Sequence, residues 1–212
     1  MNEPVKINKE IVGWKITGDH DDSRRGAIED SHAPKRPLEL ECEIHKANVR
    51  NDQWTIIVGM LDGRPYEVMG GLSEYIDIPN KYSDGSIMKR PRKTMNAKYD
   101  LKFGESGSEV LLKDVVAIFD NPNYGSLTRM ISMSLRHGVP VQYIVEQLQK
   151  DKSSDMFSFS RVISRVLKKY IKDGCRVGNG VARCNCENHE ESNFIYQSGC
   201  VLCTTCGYSA CG

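Results

Sequence analysis

The sequence predicts an α+β fold: a small antiparallel sheet packed with a helical hairpin plus a third helix, followed by a C-terminal, zinc-ribbon-like cysteine tail. Three observations predict it. Residues 38–45 alternate apolar and polar positions, and two further apolar runs flank an Asp62-Gly63 turn. Three amphipathic stretches follow one another between residues 126 and 172. Cys184, Cys186, Cys200, Cys203, Cys206 and Cys211, six of the eight cysteines, crowd the end of the 212-residue chain.

A content of 39% hydrophobic and 27% charged residues is enough to bury one core, which predicts one domain with two tails. The boundaries are a flexible N-terminal arm over 1–36, an α+β core over 37–172 with an insertion at about 73–123, a Gly-rich tether over 173–183, and the cysteine tail over 184–212. A formal net charge of +1 provides no global field toward nucleic acid or lipid. No apolar run reaches the length of a membrane span, and the expectation is a soluble, cytoplasmic protein with no membrane partner. Nothing at the N-terminus resembles a signal peptide, which argues against a disulfide framework of the secreted kind.

Within the arm, residues 11–16 form a short candidate strand. In the first core strand Leu38, Leu40, Cys42 and Ile44 turn inward, so Cys42 is a small core residue rather than a ligand. Residues 54–61 and 66–69 pair as a hairpin, because Asp-Gly tolerates the positive φ of a tight turn. The insertion carries the basic run Lys89-Arg90-Pro91-Arg92-Lys93, then two expected strands at 99–103 and 110–119. Ser126 is placed as the cap of a helix with Leu127, Met130, Ile131, Ser134 and Leu135 inward, ended by Gly138. Pro140 opens the next helix, with Val141, Ile144, Val145 and Leu148 as its stripe. The third spans about 159–172; its apolar stripe faces the core and Arg161, Arg165, Lys168, Lys169 and Lys172 lie mostly outward, with Gly174 as the stop. His137 is a cap residue beside Gly138, where it meets the helix C-terminal dipole.

The tail carries the chemistry. Cys203 and Cys206 stand in a C-x-x-C-G turn suited to one zinc ion, and Cys184 and Cys186 supply the other two ligands. Cys186 with His189 forms a competing C-x-x-H half-site. Four ligands leave Cys200 and Cys211 over, near the end of the chain, where a thiol pair on a mobile arm suits thiol–disulfide exchange. The other division gives Cys200 and Cys203 to zinc and leaves Cys206 and Cys211 to exchange; spacing leaves both open.

Residues Leu127-Thr128-Arg129-Met130-Ile131-Ser132-Met133-Ser134-Leu135-Arg136-His137-Gly138-Val139-Pro140-Val141, together with Gly199-Cys200-Val201-Leu202-Cys203-Thr204-Thr205-Cys206-Gly207-Tyr208-Ser209-Ala210-Cys211-Gly212, resemble the C-terminal part of adenosylcobalamin-dependent (class II) ribonucleotide reductases. The resemblance covers about residues 36–212. It implies a reductase, taken as acting on ribonucleoside diphosphates, in which a large α/β barrel holds cobalamin, substrate and a radical cysteine. A chain of this length cannot contain that barrel. Beginning at Met1, it resembles the small second chain of the split enzymes, and a piece of one long chain would look the same. The implied role is that of an accessory subunit, not catalytic alone. Each turnover oxidises a dithiol in the large catalytic subunit, the tail thiols re-reduce it, and a thioredoxin-like protein restores the tail. Zinc belongs to this chain and adenosylcobalamin to the partner. The alternative function is a zinc-ribbon nucleic-acid-binding or regulatory protein that sets the Lys89 to Lys93 run and the third helix's basic face on phosphate.

Overall fold

The computed structural model describes residues 32–49, 51–91, 97–119, 121–150, 159–178, 182–184, 186 and 193–211. Alternating burial builds the first strand, β1 (Glu39–Val49), in which Leu40, Cys42 and Ile44 are buried and their neighbours are not. β2 (Asp52–Leu61) and β3 (Arg64–Leu72) form the expected hairpin. Its two-residue turn, Asp62 and Gly63, has φ of 51° and 71°, the left-handed conformation that matches strand twist. β4 (Asp84–Lys89), β5 (Tyr99–Phe103) and β6 (Val110–Leu112) complete an antiparallel sheet of order β3-β2-β1-β4-β5-β6. The stretch read as an insertion therefore supplies three of the sheet's strands. β4 pairs directly with β1, a placement that the polar, Pro- and Gly-rich flanks concealed.

A second departure follows β6. Residues 110–119 are not one strand: the chain turns at Asp114 (φ 55°), whose N–H is accepted by the buried Asp100 carboxylate at 2.7 Å, and enters the one-turn helix α1 (Val115–Ile118). Val115 and Phe119 then close one face of the sheet over Ile57, Ile87 and Leu101.

The opposite face is covered by helices. α2 (Pro122–Arg136) begins at Asn121, whose side chain accepts from the N–H groups of Asn123 and Tyr124, with Pro122 at the first turn. Ser126 lies inside the helix and is not its cap, because the earlier Asn-Pro pair is the stronger start. Thr128, Ile131, Ser132 and Leu135 are the buried positions, whereas Met130, expected inward, is exposed. The rotation has a cause in the edge strand. Ser132 Oγ accepts from Val68 N–H at 2.9 Å and donates to the Thr128 carbonyl at 2.7 Å, so α2 lies along β3 and satisfies an N–H that no strand among the described residues reaches. Ser132→Ala should cost about 1–3 kcal/mol, the penalty of a buried donor left unpaired. An unchanged melting temperature would mean that this edge is satisfied in another way.

α3 (Val141–Lys150) buries Ile144 and Val145 as its stripe predicts. α4 (Phe159–Leu167) buries Phe159, Val162, Ile163, Val166 and Leu167, then tightens into a 3-10 turn, Lys168–Tyr170, instead of running on to residue 172. Lys168, expected mostly outward, is only 8% exposed, and burial lowers its pKa. Among the described residues no helix is long and apolar enough to cross a membrane.

The described parts of both tails are held against the rest of the fold. Of the arm over 1–36, residues 32–36 are described, and these are tied down: Tyr66 donates to the Pro34 carbonyl at 2.7 Å, and Arg36 binds Glu67 at 2.7 Å. The candidate strand at 11–16 lies outside the described residues. Within the expected tether, Arg176 bridges to Ile195, Val177 is buried, and Gly178 N–H donates to the buried Glu146 carboxylate at 2.8 Å. The cysteine tail forms a second antiparallel sheet, β7 (Phe194–Gln197), β8 (Cys200–Cys203) and β9 (Ser209–Ala210). Phe194, Tyr196, Val201 and Cys203 join the same core cluster as α3 and α4. The tail thus shares the helical core and does not stand apart from it.

Candidate functional site

The β7–β8 connection is a two-residue turn, Ser198 and Gly199, with φ of 50° and 75°. It sets Gln197 opposite Cys200 and Phe194 opposite Cys203. After β8 the chain turns through 204–206 and returns, with Gly207 N–H donating to the Cys203 carbonyl at 2.9 Å and Cys203 N–H to that of Tyr208 at 2.8 Å. This knuckle brings Cys206 back over Cys203.

Cys184 and Cys186 approach from the other side, packed against the helical core. The sulfurs of Cys184, Cys186, Cys203 and Cys206 lie within 4.8 Å of one another. Cys184 Sγ is 2.9 Å from that of Cys186 and 3.6 Å from that of Cys203. Four thiolates about 2.3 Å from one tetrahedral ion stand ~3.8 Å apart, so the cluster has the dimensions and the donor set to hold a metal ion. Backbone N–H groups, first that of Cys206 and then that of Thr205, pull the Cys203 thiol down to about 6, which favours the thiolate a metal needs. The hydrogen bond with Cys184 pushes Cys186 up to about 12: without a cation the four sulfurs share protons instead of all ionising. A cleft of about 410 Å³, lined by Arg183, Cys184, Cys186, Cys206 and Tyr208, opens on the cluster.

Cys200 and Cys211 are joined by a disulfide, with their Cα atoms 4.6 Å apart. Their pairing follows from the strand register. Val201 faces Ala210 and Leu202 faces Ser209, so Cys200 falls opposite Cys211. Cys200 and Cys203 are three residues apart on one strand and turn to opposite faces of the sheet, Cys203 inward at 1% exposure and Cys200 outward. The cluster and the disulfide therefore lie back to back. Of the sequence-level candidates, Cys184, Cys186, Cys203 and Cys206 come together, Cys200 pairs with Cys211 and not with the cluster, and His189 lies outside the described residues.

The other two cysteines are elsewhere. Cys42 is buried under the main sheet, and burial pushes its thiol up to about 12. Cys175 is half-buried beside β7. The basic groups singled out for phosphate are partly consumed within the fold: Arg90 binds Asp100 at 3.0 Å and Lys168 is buried, while Arg92 and Lys93 lie outside the described residues. Sequence reasoning missed the strands of the tail and with them its outer face. The signal was Phe194-Ile195-Tyr196 and Val201-Leu202 on either side of Ser198-Gly199, an alternation around a turn dipeptide.

In comparison with known proteins, the family described as NrdJ homologue C-terminal domain matches residues 40–172, more than half of the chain. The match runs from β1 through the 3-10 turn after α4 and ends before the clustered cysteines. No curated protein and no solved structure matches the chain.

Proposed function

The chain belongs to the NrdJ homologue C-terminal domain family, related to NrdJ, the class II ribonucleotide reductases, and on that premise we propose that it is the small accessory chain of a split enzyme of this class. The main support is the disulfide between Cys200 and Cys211, turned away from the four-cysteine cluster. In its reduced form this pair donates two electrons. One thiolate attacks the disulfide left in the partner's catalytic barrel by a turnover, the second resolves the mixed disulfide, and the barrel regains two thiols while Cys200 and Cys211 become oxidised. A thioredoxin-like dithiol then returns the pair to its reduced state. Adenosylcobalamin belongs to the partner barrel, and ribonucleoside diphosphates are the substrate class.

Zinc is the ion that best fits the sulfur-only donor set of Cys184, Cys186, Cys203 and Cys206. Bound there, it supplies the positive charge that holds four thiolates together. The residues themselves do the rest: Cys203 is fixed by its place in β8, Cys206 by the return turn, and the ligands' position on the inner face keeps them from the exchanging pair. Metal analysis of the native protein should find about one zinc per chain, and X-ray absorption should find sulfur neighbours at about 2.3 Å. Metal-free protein with the same ordered tail would remove the metal from this reading.

Affinity capture tests the assignment as a whole. The tagged chain should retain a cobalamin-dependent barrel subunit, and ribonucleotide reduction with a protein reductant should require both. A barrel subunit that turns over repeatedly with that reductant alone would leave this chain without the proposed role.

A further inference from the structure

The outer face of the C-terminal sheet has a composition of its own. Phe194, Tyr196, Val201 and Cys203 turn into the core, which leaves Ile195, Gln197, Cys200 and Leu202 turned out. Ile195 and Leu202 are directly paired across β7 and β8, half-buried, and outside the core cluster. Arg176 bridges to Ile195, extends the same face, is exposed, and has no carboxylate bonded to it among the described residues. The disulfide lies beside this apolar pair. The two cysteines are not equivalent: Cys211, past the end of β9, is exposed, with Ser209 Oγ 3.9 Å from its sulfur, whereas Cys200, on the central strand between β7 and β9, is half-buried.

Thiolate attack on a disulfide needs an open path to the attacked sulfur, on the side away from the leaving one. Exposed Cys211 leaves more room for that approach than half-buried Cys200. We propose that a dithiol protein with an acidic rim docks on this face, over Ile195 and Leu202 and against Arg176, and that its thiolate attacks Cys211 Sγ. The proposal rests on the relay reading above and adds the docking face and the direction of exchange. In the first step the bond between Cys200 and Cys211 breaks, a bond forms between the incoming sulfur and Cys211 Sγ, and Cys200 leaves as a thiolate that takes a proton from solvent. In the second, the incoming protein's other thiolate attacks its own sulfur in the mixed disulfide and releases Cys211. Two electrons have passed, and the dithiol protein ends as a disulfide.

The test uses the oxidised full-length chain with a thioredoxin whose second active-site cysteine is serine, followed by alkylation and peptide mapping. The adduct should sit on Cys211, with Cys200 alkylated; an adduct on Cys200 overturns the direction of attack. Leu202→Asp and Arg176→Glu should each lower kcat/KM for wild-type thioredoxin by about tenfold, with reduction by dithiothreitol and metal content unchanged, and added salt should shrink the Arg176→Glu effect. No slowing with thioredoxin, or equal slowing with both reductants, overturns the docking face. Failure of Cys200 and Cys211 to form a disulfide on oxidation would remove the relay reading itself.

Discussion

Cys211→Ser is expected to abolish multiple turnover of the assembled reductase with a protein reductant, while one turnover per active site survives. On the proposed relay, the surviving turnover draws on the partner's own dithiol, which is reduced at the start. Every later turnover needs electrons brought in from outside, and a single remaining thiol at Cys200 can form a mixed disulfide but cannot resolve it. The substitution should leave metal content intact, because Cys211 lies on the face opposite the cluster. A small dithiol able to enter the barrel should restore activity, which separates a lost relay from a damaged barrel. Cys200→Ser should behave alike. Undiminished multiple turnover of Cys211→Ser with thioredoxin would show that the tail has no part in the exchange.

The readable parts of the fold are those where period and punctuation agree. The alternation in β1 and the Asp62-Gly63 turn specify a half-buried strand and a hairpin, and Gly138-Val139-Pro140 separates two amphipathic helices. Where local signals conflict, tertiary context decides. Asp84-Gly85-Ser86 opens β4 with three poor strand formers, yet Ile87 is fully buried because β1 offers a partner on that side. In α2 the apolar stripe alone puts Met130 inward, but the need of Val68 N–H for an acceptor turns Ser132 and Thr128 toward the sheet instead. No count of apolar positions contains that hydrogen bond.

The cysteines illustrate a different limit. Metal-ligand spacing allows two divisions of the tail sulfurs, since Cys200, Cys203 and Cys206 are evenly spaced. Strand parity separates them. Two residues three apart on β8 cannot face the same way, and Cys203 shares the inner face with Phe194 and Tyr196. That parity depends on β7 and β8 being strands, and at four residues each they carry too short an alternation to stand out among the cysteines. The pinning of 173–178 was equally hidden, because a Gly-rich segment reads as a linker until its partners are known.

The largest loss of stability should come from Glu67, whose side chain is 1% exposed at the centre of an ion-pair triad. Arg36 donates to it through Nε at 3.0 Å and Nη2 at 2.7 Å, and Arg136 reaches it from the end of α2 at 2.8 Å. Three distant segments, the strap before β1, strand β3 and helix α2, therefore meet at one carboxylate. The two arginines do not depend on it equally. Arg136 is 31% exposed and can turn to water, whereas Arg36 is 6% exposed and would remain a buried cation with only carbonyl acceptors such as Ile87 O. Glu67→Ala should therefore cost about 3–5 kcal/mol, the range for breaking a buried pair by removing one partner. The double change Glu67→Leu with Arg36→Leu removes both buried charges and should cost less than Glu67→Leu alone, a non-additivity that a cavity at position 67, the same in both variants, cannot produce. Denaturant midpoints of the variants measure it, and limited proteolysis should find the 32–37 strap newly cut in Glu67→Ala. A loss below about 1 kcal/mol in Glu67→Ala, with the strap still protected, would mean that Arg36 finds water in the folded chain and that the triad orders the strap without stabilising it.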